Sequence, residues 1–91
     1  MVITDVRVRL KDTDNKLKAI ASVTFDDEFV VKDIRVIKSD EGGHFIAMPC
    51  RKLNDGTYRD IAHPISQESR SKIEKAILEE FDKVCAEEAA E

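Results

Sequence analysis

Aromatic side chains are scarce in this chain of 91 residues: no tryptophan, one tyrosine and four phenylalanines. A platform that stacks base after base is therefore thinly supplied. Two cysteines, Cys50 and Cys85, are too few for a disulfide framework and read as reduced thiols of a cytoplasmic protein. No apolar run approaches the roughly 18 residues that a membrane span requires. Charged residues from Asp5 onward interrupt any apolar core near the start, so no signal peptide is expected. Neither a GxGxxG nor a GxxxxGK[ST] pattern occurs, which removes the standard nucleotide cradles and any cofactor expectation built on them.

What is present is an ordinary globular mixture, 42% apolar and 37% charged. It predicts one domain over residues 1–85 and an acidic, frayed tail over 86–91. A chain this short buries roughly 60–65% of its unfolded surface, so its core is modest and association with a second copy is favoured. The net charge of −4 argues at first against nucleic acid, but the charge is unevenly spread. Residues 1–75 carry 14 basic and 13 acidic groups, and residues 76–91 carry one and six. A locally basic face on an acidic protein is thus open.

Strand signals come first along the chain. Residues 2–10, VITDVRVRL, alternate with period two, putting Val2, Thr4, Val6, Val8 and Leu10 on one face and Ile3, Asp5, Arg7 and Arg9 on the other. KDTDN (11–15) reads as a turn. KLKAIASVTF (16–25) alternates again, with Leu17, Ala19, Ala21, Val23 and Phe25 on one face, and its small alanines predict close packing by a helix. DDE (26–28) turns the chain into FVVKDIRVI (29–37). There Phe29 and Val31 fall on one parity and Ile34 and Val36 on the other, which a bulge at Lys32–Asp33 reconciles. KSDEGG (38–43) is a hairpin turn, HFIAM (44–48) a short strand closed by Pro49, CRKLNDG (50–56) a loop ending in a turn, and TYRDIA (57–62) a fifth strand.

One helix follows. Ser66 is placed to cap it and Glu68 suits the positive end of its dipole. Ile73, Ala76, Ile77, Phe81 and Val84 form an apolar stripe. Strands first and a helix last predict an α+β fold: an antiparallel meander of about five strands with one long C-terminal helix packed on one face. A single helix leaves sheet edges and the second face open, which predicts a homodimer through sheet strands.

Several chemistries compete for FIAMPCRKLNDGTYRDIAHPIS (45–66). A Cys–His hydrolase would need Cys50 beside His63 or His44 with Asp60 behind, yet the loop lacks the context that lowers a thiol pKa. A zinc site from Cys50, His44, His63 and Cys85 lacks the close-spaced ligand pairs such sites use. Asp26, Asp27 and Glu28 read as a solvated turn rather than a cation site. His63, held extended by Pro64, sets the approach to the helix. The remaining feature is basic: Arg51 and Lys52 after Pro49, Arg59 in the next strand, and Arg70, Lys72 and Lys75 in the first turns of the helix. Cations there oppose the helix dipole, and with Ser66, Ser69 and Ser71 they could hold phosphates. The bland alternative is a solvated charged face. No enzyme activity, metal, small-molecule substrate or cofactor is expected.

The blocks ITDVRVRL, AIASVTFDDEFVVKDIRVI, FIAMPCRK and YRDIAHPIS, in that order, resemble the stage V sporulation protein G (SpoVG) family over nearly the whole chain. The chain departs from the family pattern in the helix after Ser69, in the tail, and at Cys50. The resemblance implies a small bacterial cytoplasmic regulator, linked to sporulation, septation and gene regulation, that binds DNA or RNA. It implies a small antiparallel sheet with a C-terminal helix, dimerising through strands. It also implies phosphate contacts from Arg51, Lys52 and the helix cations. The alternative is a protein-interaction module of cell-division control, acting through a sheet edge.

Overall fold

The computed structural model of the chain describes residues 2–11 and 16–89. Four strands, β1 (Ile3–Leu10), β2 (Leu17–Phe25), β3 (Phe29–Lys38) and β4 (His44–Ala47), form an antiparallel meander in the order β1-β2-β3-β4. Two short strands, β5 (Cys50–Lys52) and β6 (Tyr58–Asp60), form a separate two-stranded hairpin. Helix α1 (Gln67–Ala89) closes the chain. The architecture is α+β, as the sequence predicts. The turn expected at 11–15 lies, except for Lys11, outside the described residues, as does the end of the tail; residues 86–89 belong to α1.

The fifth strand does not extend the meander. β4 ends at Ala47, just before Pro49, which has no N–H to donate to a ladder. The segment expected as a loop pairs with the fifth strand instead. Two hairpin turns share one solution. Gly42 N donates to Ser39 O at 3.1 Å, and Gly56 N donates to Leu53 O at 3.0 Å. Both glycines have positive φ, 105° and 89°, closing three-residue loops of the kind that need a left-handed residue last. The β2–β3 turn instead places two aspartates, Asp26 and Asp27, at positive φ, which short polar side chains tolerate.

The bulge in β3 lies where the parity break puts it. Ala21 pairs with Ile34 and Val23 with Val31, and Asp33 has a φ of 63°. With that extra residue, Val31 packs against the core while Ile34 and Val36 are fully buried. A second irregularity corrects the reading of β1. The register shifts between Ile3 and Asp5, so Ile3 joins Val6, Val8 and Leu10 against the core, while Val2 and Thr4 are exposed. Bonds to the β2–β3 turn hold this shift. Thr4 Oγ1 donates to Thr24 O (3.3 Å) and accepts from Asp27 N (3.0 Å), and Val2 N donates to Asp26 Oδ1 (3.0 Å).

Helix α1 starts at a real cap: Ser66 Oγ accepts from Ser69 N at 3.1 Å. It packs on β1, β2 and β4. Its buried line is Ile73, Ile77 and Phe81, with Cys85 rather than Val84 next against the core, an i, i+4 series. Ala19 and Ala21 are buried in the same cluster, in keeping with the close approach their small size predicts.

Candidate nucleic-acid interface

The β5–β6 register divides the Arg51–Lys52 pair. Arg51 lies directly opposite Arg59, and Lys52 opposite Tyr58. Neighbours along a strand point to opposite faces, so Arg51 and Arg59 share one face of the hairpin and Lys52 and Tyr58 the other. All four are exposed. Like charges directly opposite each other cost stability unless an anion lies between them.

The hairpin's tip is rigidly built. Leu53 N donates to Thr57 O at 2.7 Å, and Asp55 Oδ1 accepts from both Thr57 N (3.0 Å) and Thr57 Oγ1 (2.6 Å). These donors, the hydroxyl first, hold the Asp55 carboxyl below the usual carboxylate range. The base is tied down as well: Ile61 N donates to Pro49 O at 2.8 Å. Arg35, from β3, donates through Nη2 to Met48 O (3.3 Å) and to Cys50 Sγ (3.4 Å). The sheet thus holds the start of the hairpin through a guanidinium.

The helix cations stand apart from this pair. Arg70, Lys72 and Lys75 are exposed on the first turns of α1, a different element from the hairpin. Lys72 and Lys75 lie on the side away from the buried line, whereas Arg70 lies on the side of Ile73 and Ile77. The helix N-terminus has donors, but Ser66 and Ser69 use theirs on one another: the hydroxyls lie 2.9 Å apart and Ser69 Oγ donates to Ser66 O at 3.0 Å.

Of the thiol and metal candidates, Cys50 begins β5 opposite Asp60 and accepts from Arg35, while the others lie on other segments. His44 packs against Phe81 on the helix side of the sheet, ring centroids 4.8 Å apart and the planes tilted by 55°. His63 lines an apolar groove of about 320 Å3 with Phe25, Phe29, Met48, Pro64 and Ile73, rimmed by Asp26 and Glu28. Cys85 packs against the core, and burial first, with Asp82 second, pushes its thiol pKa up. Among the described residues no group of three or more His, Cys, Asp or Glu could hold a metal ion. No helix among them is long and apolar enough to cross a membrane.

The family model of SpoVG matches residues 1–83. The chain belongs to the SpoVG family. The match runs through most of α1, beyond the point after Ser69 where the sequence reading has the pattern depart. A relative from Acetivibrio thermocellus, named "Putative septation protein SpoVG", is 60% identical over 94% of this chain and 90% of its own length. One of the same name from Clostridium kluyveri is 60% identical over 97% and 91%. A third, from Clostridium beijerinckii, is 56% identical over 100% and 99%.

Sequence reasoning passed over four further cations. Arg7, Arg9, Lys32 and Arg35 lie on the sheet face opposite the helix. The alternation VRVR marks the first two as one face of one strand. Nothing local in the sequence says that β3 brings Lys32 and Arg35 beside them.

Proposed function

We propose that this member of the SpoVG family is a cytoplasmic regulator of septation and sporulation that binds DNA or RNA through its basic hairpin. The observation that carries this reading is the Arg51–Arg59 pair: two exposed guanidiniums directly across a ladder, which a phosphate between them would relieve. In this reading Lys52, on the other face of the hairpin, and the helix cations Arg70, Lys72 and Lys75 offer separate phosphate contacts. The septation and sporulation roles rest on the names the relatives carry. The two free cysteines suit a reducing compartment. The working form in this reading is a homodimer through sheet strands, since β1 and β4 are each paired on one side within the sheet.

The test is fluorescence anisotropy of labelled duplex DNA and single-stranded RNA, from low to physiological salt. The expected result is saturable binding whose log K falls with log[salt] by about 0.9 per phosphate neutralised on duplex and about 0.7 on a single strand. Arg51→Gln with Arg59→Gln should weaken binding to every sequence alike. Undiminished binding by that variant would remove the hairpin from the interface.

A second reading has its own observation. The groove lined by Phe25, Met48 and Ile73 borders Phe29, which is 66% exposed, and Ile65, near its Pro64 wall, is 94% exposed. A protein partner of cell-division control that covers this apolar surface fits a chain that shows no binding to either nucleic acid at low salt.

A further inference from the structure

The helix-free face of the four-stranded sheet is divided into a cationic part and an apolar part. In one row Arg7 faces Ser22, which lies opposite the bulge carrying Lys32 and Asp33. In the next row Arg9, Ile20, Arg35 and Ala47 run from strand to strand across the whole sheet. The third row is Leu17, Ile37 and Phe45, wholly apolar: a register shift between Leu17 and Ala19 takes Leu17 off the face that alternation assigns it with Ala19, and Phe45 is 42% exposed. The acidic groups on this face, Asp5 and Asp33, offset only part of its positive charge. Asp5 is taken up by Arg7 at 3.0 Å, and neither Arg9 nor Lys32 has an ion pair with a described residue. Arg35 meets the hairpin at Cys50, so the row of cations leads to the strand that bears Arg51. Three strand-to-strand steps make this row about 14 Å long.

We infer that this face binds single-stranded nucleic acid, with Arg9 and Lys32 against its phosphates and Phe45 stacked on a base. The inference rests on the nucleic-acid reading above and extends it to a second surface. A single strand has a charged edge and flat apolar bases, which is the division the face presents; a duplex keeps its base faces inside. The hairpin and the sheet face then form one continuous site joined at Arg35, and the hairpin alone serves duplex.

The test compares Arg9→Gln/Lys32→Gln with Lys38→Gln/Lys83→Gln, a pair that makes the same change in net charge away from this face. Circular dichroism checks that both remain folded, and the probes are a labelled oligouridine single strand and a labelled duplex. The Arg9/Lys32 variant should lower the salt slope on the single strand by about 1.4, at about 0.7 per phosphate released, and the control pair should leave it unchanged. Phe45→Ala should weaken single-strand binding roughly five- to a hundredfold and duplex binding little. A parent chain that binds neither probe at low salt overturns the nucleic-acid reading and this inference together. A parent chain that binds, with single-strand slope and affinity unmoved by these variants, overturns this inference alone. If sedimentation shows instead that Phe45→Ala splits a dimer while the slope is unmoved, the face is covered by a second copy and the inference fails.

Discussion

The two faces of the four-stranded sheet are made from alternate residues of the same strands, yet they serve opposite ends. Under the helix, Ala19, Val23, Ile34, Val36 and Ile46 are almost wholly buried with Ile77 and Phe81. On the other side the same strands present Arg7, Arg9, Lys32 and Arg35, with Ile20, Ile37 and Phe45 half-buried or exposed. One helix can bury one face only. The residues of the second face are therefore free of the demands of packing, and what they carry is available for recognition. The hairpin is an extreme case of the same freedom, because Tyr58, Arg59 and Asp60 are all exposed and β5–β6 contributes nothing to the core cluster.

Truncation should separate the faces most sharply. Ile77→Ala removes a side chain with no exposure and is expected to destabilise the fold by about 2–5 kcal/mol, read by urea denaturation. Phe45→Ala deletes a larger side chain from the open face and should cost markedly less. If the two losses were equal, the open face would be part of the core and the contrast would collapse.

A smaller effect sets stability against binding within the hairpin. Arg59→Glu turns a like-charge pair into an opposite-charge pair with Arg51, which should stabilise the hairpin by about 0.2–1 kcal/mol while weakening affinity for duplex DNA. Amide exchange at Leu53 and Thr57, read beside anisotropy, should show the two quantities moving in opposite directions. If both rose, the Arg59 charge would not be part of the nucleic-acid contact.

The smallest expected effect is a pH dependence confined to the hairpin tip. The folded-state pKa of Asp55 lies below that of the unfolded chain because the carboxylate accepts from Thr57. Its contribution is therefore complete at neutral pH and is lost as pH falls through the depressed value, below the ordinary carboxylate range. The Thr57 amide should shift in that window by NMR, Asp55→Asn should abolish the shift, and residues of the helix-covered core should not follow it.

Much of this was legible in the sequence where a local rule had one solution. Period-two alternation located β1 to β3, the i, i+4 apolar line located the helix, and the parity break between Val31 and Ile34 located the bulge beside Asp33. The rule failed where a bond from elsewhere in the chain overrode it. Period two puts Thr4 with the apolar set of β1 and Ile3 with the charged set, yet the bonds of Thr4 and Asp26 accompany a register shift that turns Ile3 inward. Arg51 and Lys52 look like a unit because they are adjacent. Once their segment pairs as a strand, adjacency puts them on opposite faces, and the partner of Arg51 becomes Arg59, eight residues away.

The sequence by itself determined the α+β class, the helix cap at Ser66 and the glycine turns, because propensity, periodicity and capping act over a few residues. It determined membership of the SpoVG family too, since that is a property of residue order. Only the tertiary structure decided that the fifth strand leaves the meander to form a hairpin, that Arg51 faces Arg59, and that four cations of two strands share the helix-free face. Those outcomes depend on strand register. Register is set by which hydrogen bonds and buried side chains the whole chain can satisfy at once.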